Sequence, residues 1–229
     1  MKRLGLIGGM SWESTAVYYR LLNQMTRTAF GGLRSADIIL HSLEFEQIAQ
    51  MQAAGDWGAL TNLLVDAAQK LERAGAEALM ICTNTMHLMA TEVQAAVGIP
   101  LLHIADATAA EIKKHKCSRP LLLATKFTMD KDFYRGKLLD SHGISTSVPN
   151  EKQRDEVHRI IYEELCQGVI TPNSKQTYLD IINECQNIDK IDGVILGCTE
   201  IGLLICEDDL ELPVFDTTEL HARMGIEFS

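Results

Sequence analysis

A cysteine stands at position 198 in the sequence GCTE, directly after the apolar run DGVIL. A buried strand that breaks into a polar turn and then a helix leaves its last residue beside unpaired backbone N–H groups, which stabilise a thiolate and lower a thiol pKa. Cys198 is therefore the expected reactive thiol. The other five cysteines (82, 117, 166, 185 and 206) fall inside apolar runs, amphipathic stretches or plain surface, and read as small structural residues. A second polar turn, in ICTNTMH, follows the apolar run AEALM. Together the two turns offer Asn84, Thr85, Thr199 and Glu200. Hydroxyls, an amide and free N–H groups at a helix start suit a small carboxylate, and the same residue types also serve as plain helix caps. His87, four residues after Thr83, lies on the same helix face, placed to orient a polar network or to sit as a satisfied core histidine.

Other chemistries lack their patterns. The glycines of GLIGGMS do not have the GxGxxG spacing of a dinucleotide loop, and Glu44 and Glu46 after the second apolar run are weak ribose ligands. There is no P-loop, no serine elbow and no lysine motif for pyridoxal phosphate, so no cofactor is expected. No metal site is expected either, because the seven histidines are scattered and none pairs with a Cys or His at a ligand spacing.

The elements that must position these residues alternate. Apolar runs at LGLIGG, ADIILHSL, AEALMIC, PLLHI, PLLLAT, ISTSVP, DGVILG and LPVFDT are each followed by an amphipathic stretch. Apolar runs without strict alternation, separated by helices, imply parallel strands covered on both faces. The sequence also repeats itself. AGAEALMICTNTMH resembles KIDGVILGCTEIG, and GIPLLHIADAT resembles ELPVFDTTEL. Placing Thr83 opposite Cys198 gives an offset of 115 residues, which also carries Tyr19 and Arg20 onto Tyr134 and Arg135. The expected fold is α/β, with two pseudo-symmetric, doubly wound parallel-sheet domains facing across an active-site cleft. Residues 1–98 plus 209–229 form the first domain and 99–208 the second. In such sheets ligands bind at the carboxyl ends of strands, where both polar turns lie.

The balance of 21 Lys and Arg against 31 Asp and Glu, a net charge of −10, argues against nucleic acid as a partner. The basic KKHK at 113–116 ends an amphipathic stretch, where cations suit the helix dipole. The N-terminal MKRLGLIGGMSWES has no cleavage site, and no stretch approaches the roughly 18 apolar residues of a membrane span, so no membrane partner is expected and a cytoplasmic location with reduced thiols is.

CTNTMH, GCTEI and GLIGGMSWEST, set in a two-fold repeat, resemble the aspartate/glutamate racemase family over essentially the whole chain. The resemblance implies a cofactor-independent amino-acid racemase, a small-molecule amino-acid substrate and a homodimer. It also implies one catalytic residue on each face of the substrate Cα, in a first motif CNTxH and a second motif GCTE. The second position is Cys198. The first falls on Thr83, since TNTMH aligns with CNTxH and Cys82 stands one place early, turned to the other face of its strand. Asn84, Thr85, Thr199, Glu200, Thr125 and the Met10–Ser11 turn match positions that line the substrate pocket. Where dicarboxylate-specific relatives carry a basic residue, this chain offers Gln52 in the first half and Cys166 in the second, which implies a broader substrate range. Cys198 would remove the Cα proton and Thr83 would supply one. A single-thiol decarboxylase, a hydantoin racemase and a non-catalytic carboxylate-binding protein remain alternatives.

Overall fold

The computed structural model describes all 229 residues as alternating strands and helices. β1 (Leu4–Gly8) leads into α1 (Trp12–Phe30), β2 (Ile38–Ser42) into α2 (Phe45–Ala54) and α3 (Trp57–Arg73), and β3 (Ala78–Ile81) into a 3-10 turn at Thr85–Met89 and α4 (Ala90–Ala95). The chain continues through α5 (Ile104–Lys114), β4 (Leu121–Ala124), α6 (Lys126–Asp130), α7 (Asp132–His142), α8 (Glu151–Glu163), a 3-10 turn at Leu165–Gln167 and α9 (Pro172–Asp189). It ends with β5 (Val194–Gly197), 3-10 turns at Thr199–Leu203 and Glu207–Asp209, β6 (Val214–Asp216) and α10 (Thr217–Phe228). No helix is long and apolar enough to cross a membrane.

Two compact units emerge, Met1–Ile104 with His221–Ser229, and Ala105–Leu220. The sequence pattern places these changes at 98/99 and 208/209. They lie at 104/105 and 220/221 because Leu101 bridges to Leu79 in the first sheet and β6 pairs with β5 in the second. Both sheets are parallel, ordered β2-β1-β3 and β4-β5-β6. Two of the expected strands shrink to single bridges, PLLHI at Leu101↔Leu79 and ISTSVP at Ser147↔Leu121. With Pro100 directly before the first bridge and Pro149 two residues after the second, one backbone donor is missing from a longer ladder. Counting the bridges, each sheet has the same order in its own half: second, first, third, fourth.

Every residue of β1, β3, β4 and β5 is buried, as parallel strands covered on both faces require. Alternation sorts β3 between two cores. Leu79 and Ile81 join Leu60, Leu64, Ala67 and Leu71 of α3. Ala78, Met80 and Cys82 join Tyr18 and Leu22 of α1 and Ala222 and Ile226 of α10. Each large side chain buried in this way contributes about 1.5–3 kcal/mol relative to exposure. α10 lies so close to the sheet that a Cβ on Gly225 would stand 2.8 Å from Met80 Sδ.

The hydrogen-bond register ties the halves of the repeat together. Leu79 N–H donates to Pro100 O at 2.9 Å, and Val194 N–H donates to Pro213 O at 2.9 Å. Leu79 and Val194 are therefore equivalent, which makes Cys82 equivalent to Gly197 and Thr83 to Cys198. The tyrosine match needs correction. Gly5 pairs with Leu79 and Leu121 with Val194, so the first strands are related by one residue more than the third strands. Tyr18, not Tyr19, then matches Tyr134. Burial agrees, since Tyr18 and Tyr134 are both fully enclosed whereas Tyr19 is 58% exposed.

The helix after the last strand of each half belongs, from Ala105 and from His221, with the other unit. Within the first unit His221 of α10 meets the buried Tyr18 hydroxyl (Nδ1···Oη 2.8 Å). In the second, Thr108 of α5 accepts from the buried Tyr134 hydroxyl at 3.0 Å. Leu101 and Val214 are equivalent by the register, so Thr108 and His221 are equivalent too, and the two tyrosines anchor corresponding points.

Candidate active site

Each unit carries one set of the expected residues at the carboxyl end of its sheet. In the first, β1 turns into α1 through Gly8 and Gly9. Gly9 has φ +84°, and a Cβ there would stand 2.1 Å from Leu43 O, so this tight turn requires glycine. Met10 and Ser11 are buried in that turn. Ser11 caps α1 by accepting from Ser14 N–H at 3.2 Å, and the Ser14 hydroxyl donates to Cys82 O at 3.1 Å. The turn is thereby fastened to the residue before Thr83.

Thr83 is half-buried, followed by the buried Asn84, Thr85 and His87 of a 3-10 turn that gives way to the short α4. Gln52 is buried as well, and its amide donates to Met86 Sδ at 3.3 Å, which brings it onto the same turn. It comes from α2, an element outside the periodic stretches of the sequence. Glu44, weighed above as a ribose ligand, is the N-cap of α2, accepting from Glu46 and Gln47 N–H at 2.9 and 2.8 Å. Cys82 is fully buried in the α1/α10 core, and desolvation drives its thiol pKa far up.

In the second unit, Thr125 and Cys198 follow the paired ends of the adjacent strands β4 and β5, at Ala124↔Gly197. Thr125 is buried, its hydroxyl 3.2 Å from that of Thr128. Thr199 accepts from the Thr218 hydroxyl at 3.2 Å. Cys198 is half-buried, and its thiol donates to Glu200 Oε2 at 3.0 Å. Glu200 is thus turned to the thiol. The thiol pKa expectation is also overturned. Burial first, then the Glu200 charge, push the Cys198 thiol well above its ordinary value. A five-residue 3-10 turn at Thr199–Leu203 follows Cys198 in place of a full helix, and a carboxylate faces the buried sulfur. The 3-10 turn at Leu165–Gln167, which carries Cys166, packs on the turn after Cys198. The nearby Tyr162 hydroxyl is pushed up to about 12 by burial and by the charges of Cys198, Cys166 and Glu200.

Two polar groups escaped the sequence reading. Tyr18 and His221 are 203 residues apart, and only the return of α10 to the first unit joins them. Asp216, at the end of β6, caps α10 by accepting from Thr218 and Glu219 N–H at 2.8 and 3.1 Å, and burial raises its pKa. No group of three or more His, Cys, Asp and Glu side chains is placed to hold a metal ion.

Of the two equivalent strand ends, one bears a hydroxyl and the other a carboxylate-bonded thiol. The family profile described as Asp/Glu/Hydantoin racemase matches residues 7–225. The chain belongs to this family. It is accordingly an isomerase of the racemase type, with the α/β fold of solved racemase structures. One such structure, from Yersinia pestis and described as a candidate Asp/Glu racemase, is 50% identical, with full coverage of this chain, 99% of the other and a TM-score of 0.94. Another, an aspartate racemase homologue from Pyrococcus horikoshii OT3, is 39% identical with the same coverages and a TM-score of 0.88. A curated relative, the broad specificity amino-acid racemase RacX of Bacillus subtilis, is 22% identical over 97% of this chain and 96% of its own length. The racemase profile spans both units and both polar turns.

Proposed function

We propose that the chain racemises amino acids without a cofactor, with Cys198 serving one face of the substrate Cα and Thr83 the other. The observation that carries this reading is the register, in which equivalent bonds from Leu79 to Pro100 and from Val194 to Pro213 make Thr83 and Cys198 equivalent strand-end residues. The same register and the burial of Cys82 in the core favour Thr83 over Cys82.

The resting thiol is protonated and bonded to Glu200. Removal of a Cα proton by sulfur therefore needs the thiol proton to pass to the Glu200 carboxylate as the sulfur takes the substrate's. In the reverse sense the thiol gives its proton to the carbanion and recovers one from Glu200. Thr83 returns a proton on the opposite face and is reprotonated by solvent. A hydroxyl is a far weaker acid–base catalyst than a thiol at neutral pH, so the two enantiomers are used unequally. Asn84, Thr85, Thr125, Thr199 and the Met10–Ser11 turn supply donors for the substrate carboxylate and the developing enolate charge.

Gln52 and Cys166 stand where the dicarboxylate-specific pattern has basic residues, so the substrate side chain is read without a formal charge. Losing a charge-assisted bond forfeits about 1.5–3 kcal/mol, enough for neutral amino acids to compete. The broad specificity named for the Bacillus subtilis relative is in keeping with this. A homodimer is part of the proposal, and sedimentation at the mass of one chain across micromolar concentrations would remove it. The resting, protonated thiol also favours a second reading, donation to an enolate left by decarboxylation or formed from a hydantoin. The deciding experiment incubates a panel of L- and D-amino acids, a malonate and a hydantoin in D2O, read by chiral chromatography and proton NMR. Deuterium at Cα together with the opposite enantiomer supports racemisation; turnover of the malonate or hydantoin alone refutes it.

A further inference from the structure

His87 lies beneath the Thr83 turn, 3% exposed, and both its ring nitrogens are committed to backbone groups. Nδ1 is 2.8 Å from Thr83 O, an acceptor, so it carries the hydrogen. Nε2 accepts from Ile104 N–H at 3.3 Å, so it does not. Those partners fix the neutral Nδ1–H tautomer. Burial first, then the neighbouring His103 and His221, hold the His87 pKa well below its ordinary value. The His103 ring lies 4.6 Å away and the His221 ring 5.7 Å. His221 is locked in the other tautomer, Nε2–H donating to Leu102 O at 2.7 Å and Nδ1 accepting from Tyr18.

A local bond from His87 to Thr83 would be ordinary for a histidine four residues on in a turn. Two observations set this one apart. The ring reaches beyond the turn to Ile104, the residue at which the chain leaves the first unit. The equivalent residue in the second half is Gly202, with no side chain to place against Cys198 O, which accepts from the Ile201 N–H of its own turn. The clamp thus exists on the hydroxyl side and is lacking on the thiol side. A thiol with a bonded carboxylate tolerates small displacement, whereas a hydroxyl with no general base of comparable strength depends on placement to deliver a proton.

We infer that His87 is a positioning residue for Thr83, tying the Thr83 carbonyl to the Ile104 backbone and so setting where the Thr83 hydroxyl stands. The inference rests on the racemase reading above. It separates two events at Cα. Exchange with retention needs only Cys198, which removes the proton and returns solvent deuterium on the same face. Inversion needs delivery at the other face, by Thr83.

The test compares wild type, His87→Phe and His87→Asn in D2O, measuring inversion against exchange with retention for the enantiomer that exchanges faster. Asn places an amide donor as many bonds from Cα as Nδ1 and retains the tie to Thr83 O. His87→Phe is expected to lower the ratio of inversion to exchange about tenfold or more, and His87→Asn to recover most of it. An unchanged ratio in His87→Phe overturns the inference, as does a parallel loss of both events with Asn no better than Phe. Nitrogen-15 NMR of the wild-type imidazoles gives a readout independent of turnover, and it decides the matter if His87→Phe does not fold. His87 should show a neutral Nδ1–H pattern from pH 5.5 to 8, and an Nε2–H pattern or a titration in that range overturns the inference. A wild type that neither exchanges nor inverts any amino acid removes the racemase reading. The imidazole pattern then alone decides whether His87 holds Thr83 as described.

Discussion

Replacing Glu200 by Gln should make Cys198 more reactive toward an alkylating reagent and less effective as a catalyst. In the native protein the carboxylate is 3.0 Å from the sulfur and only 7% exposed. A thiolate there repels the carboxylate by about 5 kcal/mol, taking Coulomb's law at 3.0 Å and an effective dielectric constant of about 20. The thiol form, in contrast, gains a charge-assisted hydrogen bond of about 1.5–3 kcal/mol. Both effects favour the protonated sulfur, and both disappear in Glu200→Gln. The remaining obstacle to ionisation is burial, the largest cause of the raised pKa, and it is unchanged. About 1.4 kcal/mol suffices for a tenfold change in an equilibrium, so relief of even part of this repulsion gives at least about a tenfold rise in thiolate fraction. The assay is the rate of iodoacetamide labelling of Cys198 between pH 6.5 and 9, located by peptide mass spectrometry, beside Cα–H exchange in D2O. Labelling should rise and its pH midpoint fall, while exchange falls about 100-fold because the sulfur has lost its proton acceptor. Slower labelling in Glu200→Gln would refute the electrostatic argument. Faster labelling with exchange also faster would show that Glu200 only restrains the thiol and takes no proton.

Cys198→Ser should abolish Cα exchange for both enantiomers in a normally folded protein, whereas Thr83→Cys should raise turnover from the disfavoured enantiomer, both followed by chiral chromatography. Cys82→Ala should cost about 1 kcal/mol in urea unfolding, from loss of a buried sulfur, and leave turnover within about twofold. Loss of activity in that variant together with a silent Thr83→Cys would move the catalyst to Cys82. His221 titrates near 4 in the fold, because of burial, against an ordinary 6.5. Between those values the unfolded chain binds the extra proton, so the neutral ring's full contribution is present above pH 6.5 and is lost as pH falls toward 4. The loss amounts to up to about 3 kcal/mol. Urea midpoints of wild type and His221→Gln should converge on acidification; a gap that does not depend on pH would disprove the linkage.

The register of one strand decides most of what this sequence can and cannot say. Alternation along ALMICT predicts that Cys82 and Thr83 point to opposite faces, and the two cores confirm it for Cys82, which packs with Ala78 and Met80 against α1 and α10. Periodicity and repetition reach that far because a parallel strand buried on both faces has a fixed side-chain sequence whatever surrounds it. They do not reach the thiol's electrostatics. GCTE reads as a strand running into a helix, from which a lowered pKa follows, but how the chain turns after Cys198 depends on Gly202, where a Cβ would come within 2.9 Å of Asp216 Oδ2. That contact joins residues of two different elements. Burial of the sulfur, together with the Glu200 carboxylate that the 3-10 turn leaves bonded to it, reverses the sign of the pKa shift. The tyrosine match fails for a related reason, since Tyr18 and Tyr19 are indistinguishable in a local pattern, and the sheet register together with the packing of α10 selects Tyr18. Sequence repetition therefore picks out the two equivalent strand-end positions proposed as catalytic, Thr83 and Cys198, but the groups bonded to them, Glu200 at the sulfur and His87 at the Thr83 carbonyl, make contacts that a repeat does not encode. It follows that Thr83→Cys alone does not make the halves chemically equal. The introduced thiol would have Thr85, not a carboxylate, two residues on, so its gain in turnover should be smaller than that of Thr83→Cys combined with Thr85→Glu. Equal gains from the single and double variants would show that the carboxylate beside Cys198 is dispensable to proton transfer.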